Sequence, residues 1–156
     1  MNVRIEDMPD LRVACIHAPG PYATAAPQAW QELSAWMGHN QMLTFETLFV
    51  GVLGDTPCGL ASESTGYDAG VSVPQHIEAD GYVSVRIIAG GPCATIVHKG
   101  PHKTLAEVWA SLYWEWLPAS GRITREAPCV EVYLNAPDST PDHELLTRLH
   151  LPLSPI

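Results

Sequence analysis

Gly20 to Ala26 reads GPYATAA and Gly100 to Ala106 reads GPHKTLA, with glycine, proline, threonine and alanine recurring in the same order 80 positions apart. The same ungapped shift carries Trp36 onto Trp116, Glu46 onto Glu126, Val50 and Val52 onto Val130 and Val132, and Pro57 onto Pro137. Similar residues agree as well: Ile5 meets Val85, Met37 meets Leu117, and VSVP from Val71 meets LPLS from Leu151. Chance matches in an Ala/Val/Leu-rich chain do not keep to one gapless offset, so the chain reads as two diverged copies of one unit, halves of about 1–76 and 81–156.

Each copy predicts strand, helix, strand, strand. In the second, CATIVHKG from Cys93 is a strand that stops at Gly100-Pro101, and Leu105, Val108, Trp109, Leu112, Trp116 and Leu117 follow the i, i+3, i+4, i+7 spacing of an amphipathic helix. Pro101 suits a first turn, while Thr104 with Glu107 offers a capping box for a later start. Pro118 and Ser120-Gly121 are expected to end this helix, and Cys129 to Leu134 and Glu144 to Leu153 to form two strands around the turn-rich Asn135 to Asp142.

In the first copy RVACIHAPG is the strand, and Ala26, Trp30, Leu33 and Met37 form the helix stripe, ended by Gly38. Leu48 to Gly54 and Tyr67 to Pro74 are its later strands. NVRIED and the YVSVRIIAG from Tyr82 add a leading strand to each unit. The expectation is an α+β protein: a duplicated strand-helix-strand-strand unit, a mostly antiparallel sheet, two helices, and a ligand groove at the pseudo-twofold axis.

With 156 residues and 46% hydrophobic content the chain is sized for one core-forming domain, 1–156. Its apolar runs fall short of the roughly 20 residues that span a bilayer, and MNVRIEDMPD has no signal-peptide core, so no membrane partner and a cytoplasmic location are expected. Cys15, Cys58, Cys93 and Cys129 lie far apart without a CxxC pair and read as reduced core residues. Eight Lys and Arg against 17 Asp and Glu give a net charge of −9, which disfavours direct binding to nucleic acid.

The strand PCVEVYLN, Pro128 to Asn135, alternates Val130, Val132 and Leu134 as a half-buried strand does, with a carboxylate, Glu131, on the face of Cys129 and Tyr133. Under the 80-residue shift the counterpart of Glu131 is Gly51, so one half opens space where the other places an acid. Two readings stay open. Glu131 is a solvated surface acid paired with Arg122, Arg125 or Arg148, or it is buried, and then it needs hydrogen bonds, water or a cation, because burying an unpaired carboxylate costs several kcal/mol.

Other chemistry finds little support. His98 and His102 are four apart, but Gly100-Pro101 between them breaks the helix that would converge two imidazoles, so no metal site is expected. The glycines at Gly51, Gly54 and Gly59 match neither phosphate-loop fingerprint, and ASESTG, Ala61 to Gly66, lacks the frame of a nucleophile elbow and reads as a loop. No cofactor is implied.

EVYLN after a helix that follows HKGP, YDAGVSVP in the first half and the closing LHLPL together resemble the GyrI-like family, which includes effector-binding domains of AraC-type and multidrug-responsive regulators and DNA gyrase inhibitory proteins. The resemblance runs from LRVACIHAPGPY to LHLPL. It implies two strand-helix-strand-strand units around a groove in which the Glu of the EVY motif, here Glu131, meets cationic lipophilic molecules among aromatic side chains. A carboxylate flanked by rings is the combination that holds a desolvated cation. Tyr133 is the first ring expected there, then Trp109, with Trp30, Tyr67 and Tyr113 as further candidates and Gly51 as the floor.

With the repeat running along the whole sequence no DNA-reading module is expected, and the expected function is a stand-alone, monomeric binder of cationic aromatic molecules that sequesters them or serves a separate regulator. Two alternatives remain: a hydrolase of electrophilic small molecules, with Glu131 as general base and Tyr67 or Tyr133 as donor, and a gyrase-inhibitor-like module that binds a protein through an acidic surface.

Overall fold

A computed structural model describes residues 1–19, 22–40, 47–53 and 67–156, with the backbone alone at 22–23 and 39–40. The expected loop Ala61 to Gly66, Gly54, Gly59 and Cys58 lie outside these residues. Eight strands, β1 Arg4–Met8, β2 Leu11–Ala18, β3 Phe49–Val52, β4 Tyr67–Ser72, β5 Ser84–Ile88, β6 Gly91–Lys99, β7 Val130–Tyr133 and β8 Leu146–Pro152, form one sheet in the order β1-β6-β8-β7-β3-β4-β2-β5. Every neighbouring pair is antiparallel. Helix α1 spans Tyr22–Asn40, and a second helical run follows β6: a 3-10 turn His102–Thr104, α2 Leu105–Ala110, a π-helical turn Ser111–Trp116 and α3 Leu117–Ser120. The fold is α+β.

The offset seen in the residues reappears in the elements. β1 and β5, β2 and β6, and the two helical runs begin 84 − 4, 91 − 11 and 102 − 22 residues apart, each equal to 80. The leading strands change sides: β1 pairs with β6 of the other half and β5 with β2, so each closes the outer edge of its partner half. The halves meet at β3 and β7, where Gly51 lies directly opposite Glu131. Since 131 − 51 is also 80, this cross-strand pair joins a position to its own repeat counterpart, as happens only on a twofold axis between antiparallel strands. Two glutamates there would stand side by side as like charges in the core, which disfavours ionising both; glycine on one side relieves it.

The helices cover one face. α1 packs on β2 and β4, and Leu33 and Ala29 are fully buried there. Leu105, Trp109 and Leu112 join Ile96, Leu149 and Leu151 in the same core cluster. Burying side chains of this size contributes about 1.5–3 kcal/mol each. The opposite face is sheltered as well, because the sheet curls: Val13, Cys15, Val50, Val52, Val130 and Val132 form a second cluster. β7 is therefore buried on both faces, and the half-buried alternation read from Val130, Val132 and Leu134 is corrected: Leu134, at 44% exposure, already lies beyond the strand.

Three local expectations also change. Gly38 does not end α1, which continues to Asn40, because its backbone stays out of the left-handed conformation in which glycine stops a helix. Thr104 forms no capping box; its hydroxyl donates to the Pro101 carbonyl and pairs with His98 Nε2 instead, and the helical run opens after Pro101. Pro118 lies inside the second run rather than at its end. The π-helical turn ahead of it moves the carbonyl four residues back away from the pyrrolidine ring. Gly121, in the left-handed region at φ 75°, makes the stop.

Candidate functional site

Glu131 stands at the middle of β7 on the helix-covered face, 2% exposed. Trp109 Nε1, from α2, donates to Glu131 Oε2 at 2.8 Å, and the Tyr133 hydroxyl donates to Oε1 at 2.8 Å. With its O–H directed to the carboxylate, Tyr133 accepts from the Tyr67 hydroxyl at 2.5 Å, and Tyr67 accepts from Trp30 Nε1 of α1 at 3.0 Å. Donors from both helices and from β4 thus run in one direction, toward Glu131. Such a chain polarises each bond in turn and favours negative charge at its end.

The glycine opposite makes this packing possible. A Cβ on Gly51 would run into the hydroxyls of Tyr133 and Tyr67 and stand 2.8 Å from Tyr67 Cε2. The missing side chain is the space in which the two phenols meet. Trp30 packs edge-on against Tyr133 with centroids 5.8 Å apart and tilts against Phe49 at 6.2 Å, while His102 tilts against Tyr133 at 5.2 Å.

Electrostatically the site is a buried acid. Burial pushes the Glu131 carboxyl above the ordinary carboxylate range, and the hydrogen bonds from Trp109 and Tyr133 pull it part of the way back. No cation neutralises it: among the described residues the ion pairs are His17 and Arg86 on Asp68. The arginines offered by the sequence are elsewhere. Arg122 and Arg125 donate to backbone carbonyls of the C-terminal segment, and Arg148 bonds His150 on the opposite face. Two buried polar atoms beside this network, His102 Nε2 and Thr147 Oγ1, have no hydrogen-bond partner among the described residues; Thr147 is the cross-strand neighbour of Tyr133. Burial also lowers the His102 pKa, so the ring is neutral.

Six of the seven residues singled out from sequence, Glu131, Tyr133, Trp109, Tyr67, Trp30 and Gly51, come together here. Tyr113 is part-buried against the core cluster that holds Trp109 and Tyr67, and its ring meets Trp114 edge-on at 4.8 Å. Sequence reasoning missed Phe49 and His102. Phe49 is the cross-strand partner of Tyr133, a register that becomes readable once Gly51 is set opposite Glu131. His102 occupies the first turn after Gly100-Pro101, a position weighed for metal ligation and not for stacking.

The GyrI-like small molecule binding domain model matches residues 1–154. A DNA gyrase inhibitor of Erwinia billingiae is 30% identical over 159 residues, covering 99% of this chain and 98% of that protein. Among solved structures, the EcmrR C-terminal domain superposes with a TM-score of 0.78 at 15% identity, over 99% of this chain and 98% of that one. SAV2435 bound to tetraphenylphosphonium superposes with a TM-score of 0.64 at 11% identity, over 99% and 94%. No described helix is long and apolar enough to cross a membrane. With the family model matching nearly end to end and a relative aligned over almost its whole length at 30% identity, the chain belongs to the GyrI-like small molecule binding domain family.

Proposed function

We propose that this small-molecule-binding domain takes lipophilic aromatic cations, with Glu131 as counter-ion and Trp109, Tyr133, Tyr67 and Trp30 as the rings around it. One observation carries the reading: a carboxylate at 2% exposure with two neutral donors and no cationic partner among the described residues. Such an acid is costly to keep unless something recovers the cost. A cation about 4 Å away would recover on the order of 4 kcal/mol at an effective dielectric near 20. Each ring face it meets adds about 0.5–2 kcal/mol. The fold is compatible with such an occupant, since SAV2435 holds tetraphenylphosphonium on a similar scaffold.

The test is a tryptophan-fluorescence titration with tetraphenylphosphonium beside neutral triphenylmethanol, in the native protein and in Glu131→Gln. Saturable binding of the cation, weakened by about 1–3 kcal/mol in the variant, supports the reading. Equal binding of cation and alcohol, or no effect of the substitution, rejects it.

A second reading is favoured by the Tyr67–Tyr133–Glu131 chain itself, in which a carboxyl raised by burial sits beside a hydroxyl pair 2.5 Å apart. That set can accept a proton from water at Glu131 while Tyr67 or Tyr133 donates to a developing oxyanion. Turnover of electrophilic small molecules that disappears in Glu131→Gln would favour hydrolysis over binding alone.

A further inference from the structure

The sheet carries a recess on the face opposite Glu131, with arginines in its lining. On the face away from the helices, Leu11, Ile88, Val130 and Val132 line a shallow groove with Arg148 and His150 at its polar side; it is partly open to solvent and its cavity volume is about 80 Å³. The register places these residues together: Arg148 faces Val132 and His150 faces Val130 across β7 and β8. In a chain with 17 acids and 8 Lys and Arg, the charged residues lining this groove among the described residues are Arg125 and Arg148.

The two arginines differ in what they have left to offer. Arg125 is committed to the structure, its guanidinium donating to the carbonyls of Leu153, Ala89 and Pro92 and to Cys93 Sγ. Arg148 uses Nε alone, donating to His150 Nε2 at 2.9 Å; burial first and the Arg148 charge second push that imidazole down to about 4, so it accepts on Nε2 with its proton on Nδ1. Its two terminal nitrogens have no hydrogen bond and no carboxylate within 4.0 Å among the described residues. The acid whose charge Arg148 influences, Glu6 on the edge strand β1 beyond β6, accepts from the Thr95 hydroxyl at 2.5 Å. A half-buried guanidinium fork aimed along an apolar groove matches a carboxylate bidentately.

We propose that this groove is a second ligand site, which takes a lipophilic carboxylate: the apolar body lies over Leu11, Ile88, Val130 and Val132, and the head group pairs with the terminal nitrogens of Arg148. The site is independent of the reading of Glu131, which faces the other side of the sheet. One sheet then carries a cation-selective carboxylate on its helix-covered face and an anion-selective guanidinium on the other.

Sodium octanoate is the probe, with octanol and octylamine as controls, followed through the methyl resonances of Val130, Val132, Ile88 and Leu11. Saturable shifts at these methyls with octanoate alone are expected, weakened about tenfold in Arg148→Gln and unchanged in Glu131→Gln. Octanol binding as tightly as octanoate, shifts confined to Leu105 and Leu112 on the helix side, or no saturable shift would overturn the assignment. Should Arg148→Gln fail to fold, the native protein still decides, because the comparison of octanoate with octanol and the position of the shifts need no variant.

Discussion

Replacing Gly51 with alanine tests the geometry of the site most directly. The added Cβ would meet the Tyr67 and Tyr133 hydroxyls and stand 2.8 Å from Tyr67 Cε2, closer than real contacts allow. Neither ring has an easy retreat, since Tyr67 is 1% exposed and bonded to Trp30, and Tyr133 is wedged between Trp30 and His102. Alanine gains about 0.5–1 kcal/mol over glycine in a strand through lost unfolded-state freedom. Against this stand about 1–3 kcal/mol for overpacking. If Tyr133 is driven off Glu131, losing a hydrogen bond to a charged group costs a further ~1.5–3 kcal/mol. With both terms the clash wins by about 2–5 kcal/mol net, which for a chain of this length lowers Tm by roughly 5–15 °C.

Calorimetry of Gly51→Ala gives the stability term, and a tetraphenylphosphonium titration of the folded fraction gives the effect on the site. The double variant Gly51→Ala/Tyr133→Phe removes one of the clashing hydroxyls and should recover part of the loss. A Gly51→Ala protein melting within about 2 °C of the parent, with unchanged tetraphenylphosphonium affinity, would refute the account of Gly51 as the space that seats the two phenols.

Tetraphenylphosphonium does not titrate, so its affinity should rise with pH as Glu131 ionises through its raised pKa and then level off, while Glu131→Gln reports what other groups such as His102 contribute; a native profile no steeper than that of the variant removes Glu131 as counter-ion. Linkage gives the stability of the ligand-free protein the opposite sign: an acid whose folded pKa is raised contributes stability below its unfolded value, and that stability is lost as pH rises through the folded one. Urea midpoints of native protein and Glu131→Gln, compared from acid to neutral pH, should diverge against the native chain. Arg125→Ala strips donors from the carbonyls of Ala89, Pro92 and Leu153 that tie the C-terminal segment to β6, and a loss of about 1–3 kcal/mol in urea unfolding is expected. Cys15, buried with its thiol pushed up to about 12, should resist iodoacetamide in the native state at pH 8 and react once unfolded; rapid native labelling would contradict its burial between the strands.

Much of the fold was legible because the repeat supplies each prediction twice. Strand positions, both helices and the offset of 80 residues agree with the element starts, since apolar periodicity and Gly-Pro breaks are local signals. What sequence reasoning misplaced were points where a local rule is overruled from outside the segment. Gly38 and Pro118 read as helix stops, but a glycine stops a helix only in the left-handed conformation, and a π-helical turn accommodates the proline. The exchange of β1 and β5 between halves had no local signal, because which edge a strand joins depends on the whole sheet.

For the site, the carboxylate in an apolar strand and the glycine at its repeat counterpart were visible in the residues alone. Whether Glu131 was solvated or buried was not, since a strand with one charged position reads the same in both cases. Tertiary structure decided it by curling the sheet so that β7 is covered on both faces, and by bringing Trp109 from one helix, Trp30 from the other and Tyr67 from a strand of the other half to a single hydrogen-bonded chain. It also sent Arg148 to the far face, because neighbours across β7 and β8 share a side and its partner is Val132, one residue out of step with Glu131. Residue chemistry and period are written along the chain; which groups desolvate one another depends on contacts between segments far apart in it, and those exist only once the halves meet at Gly51 and Glu131.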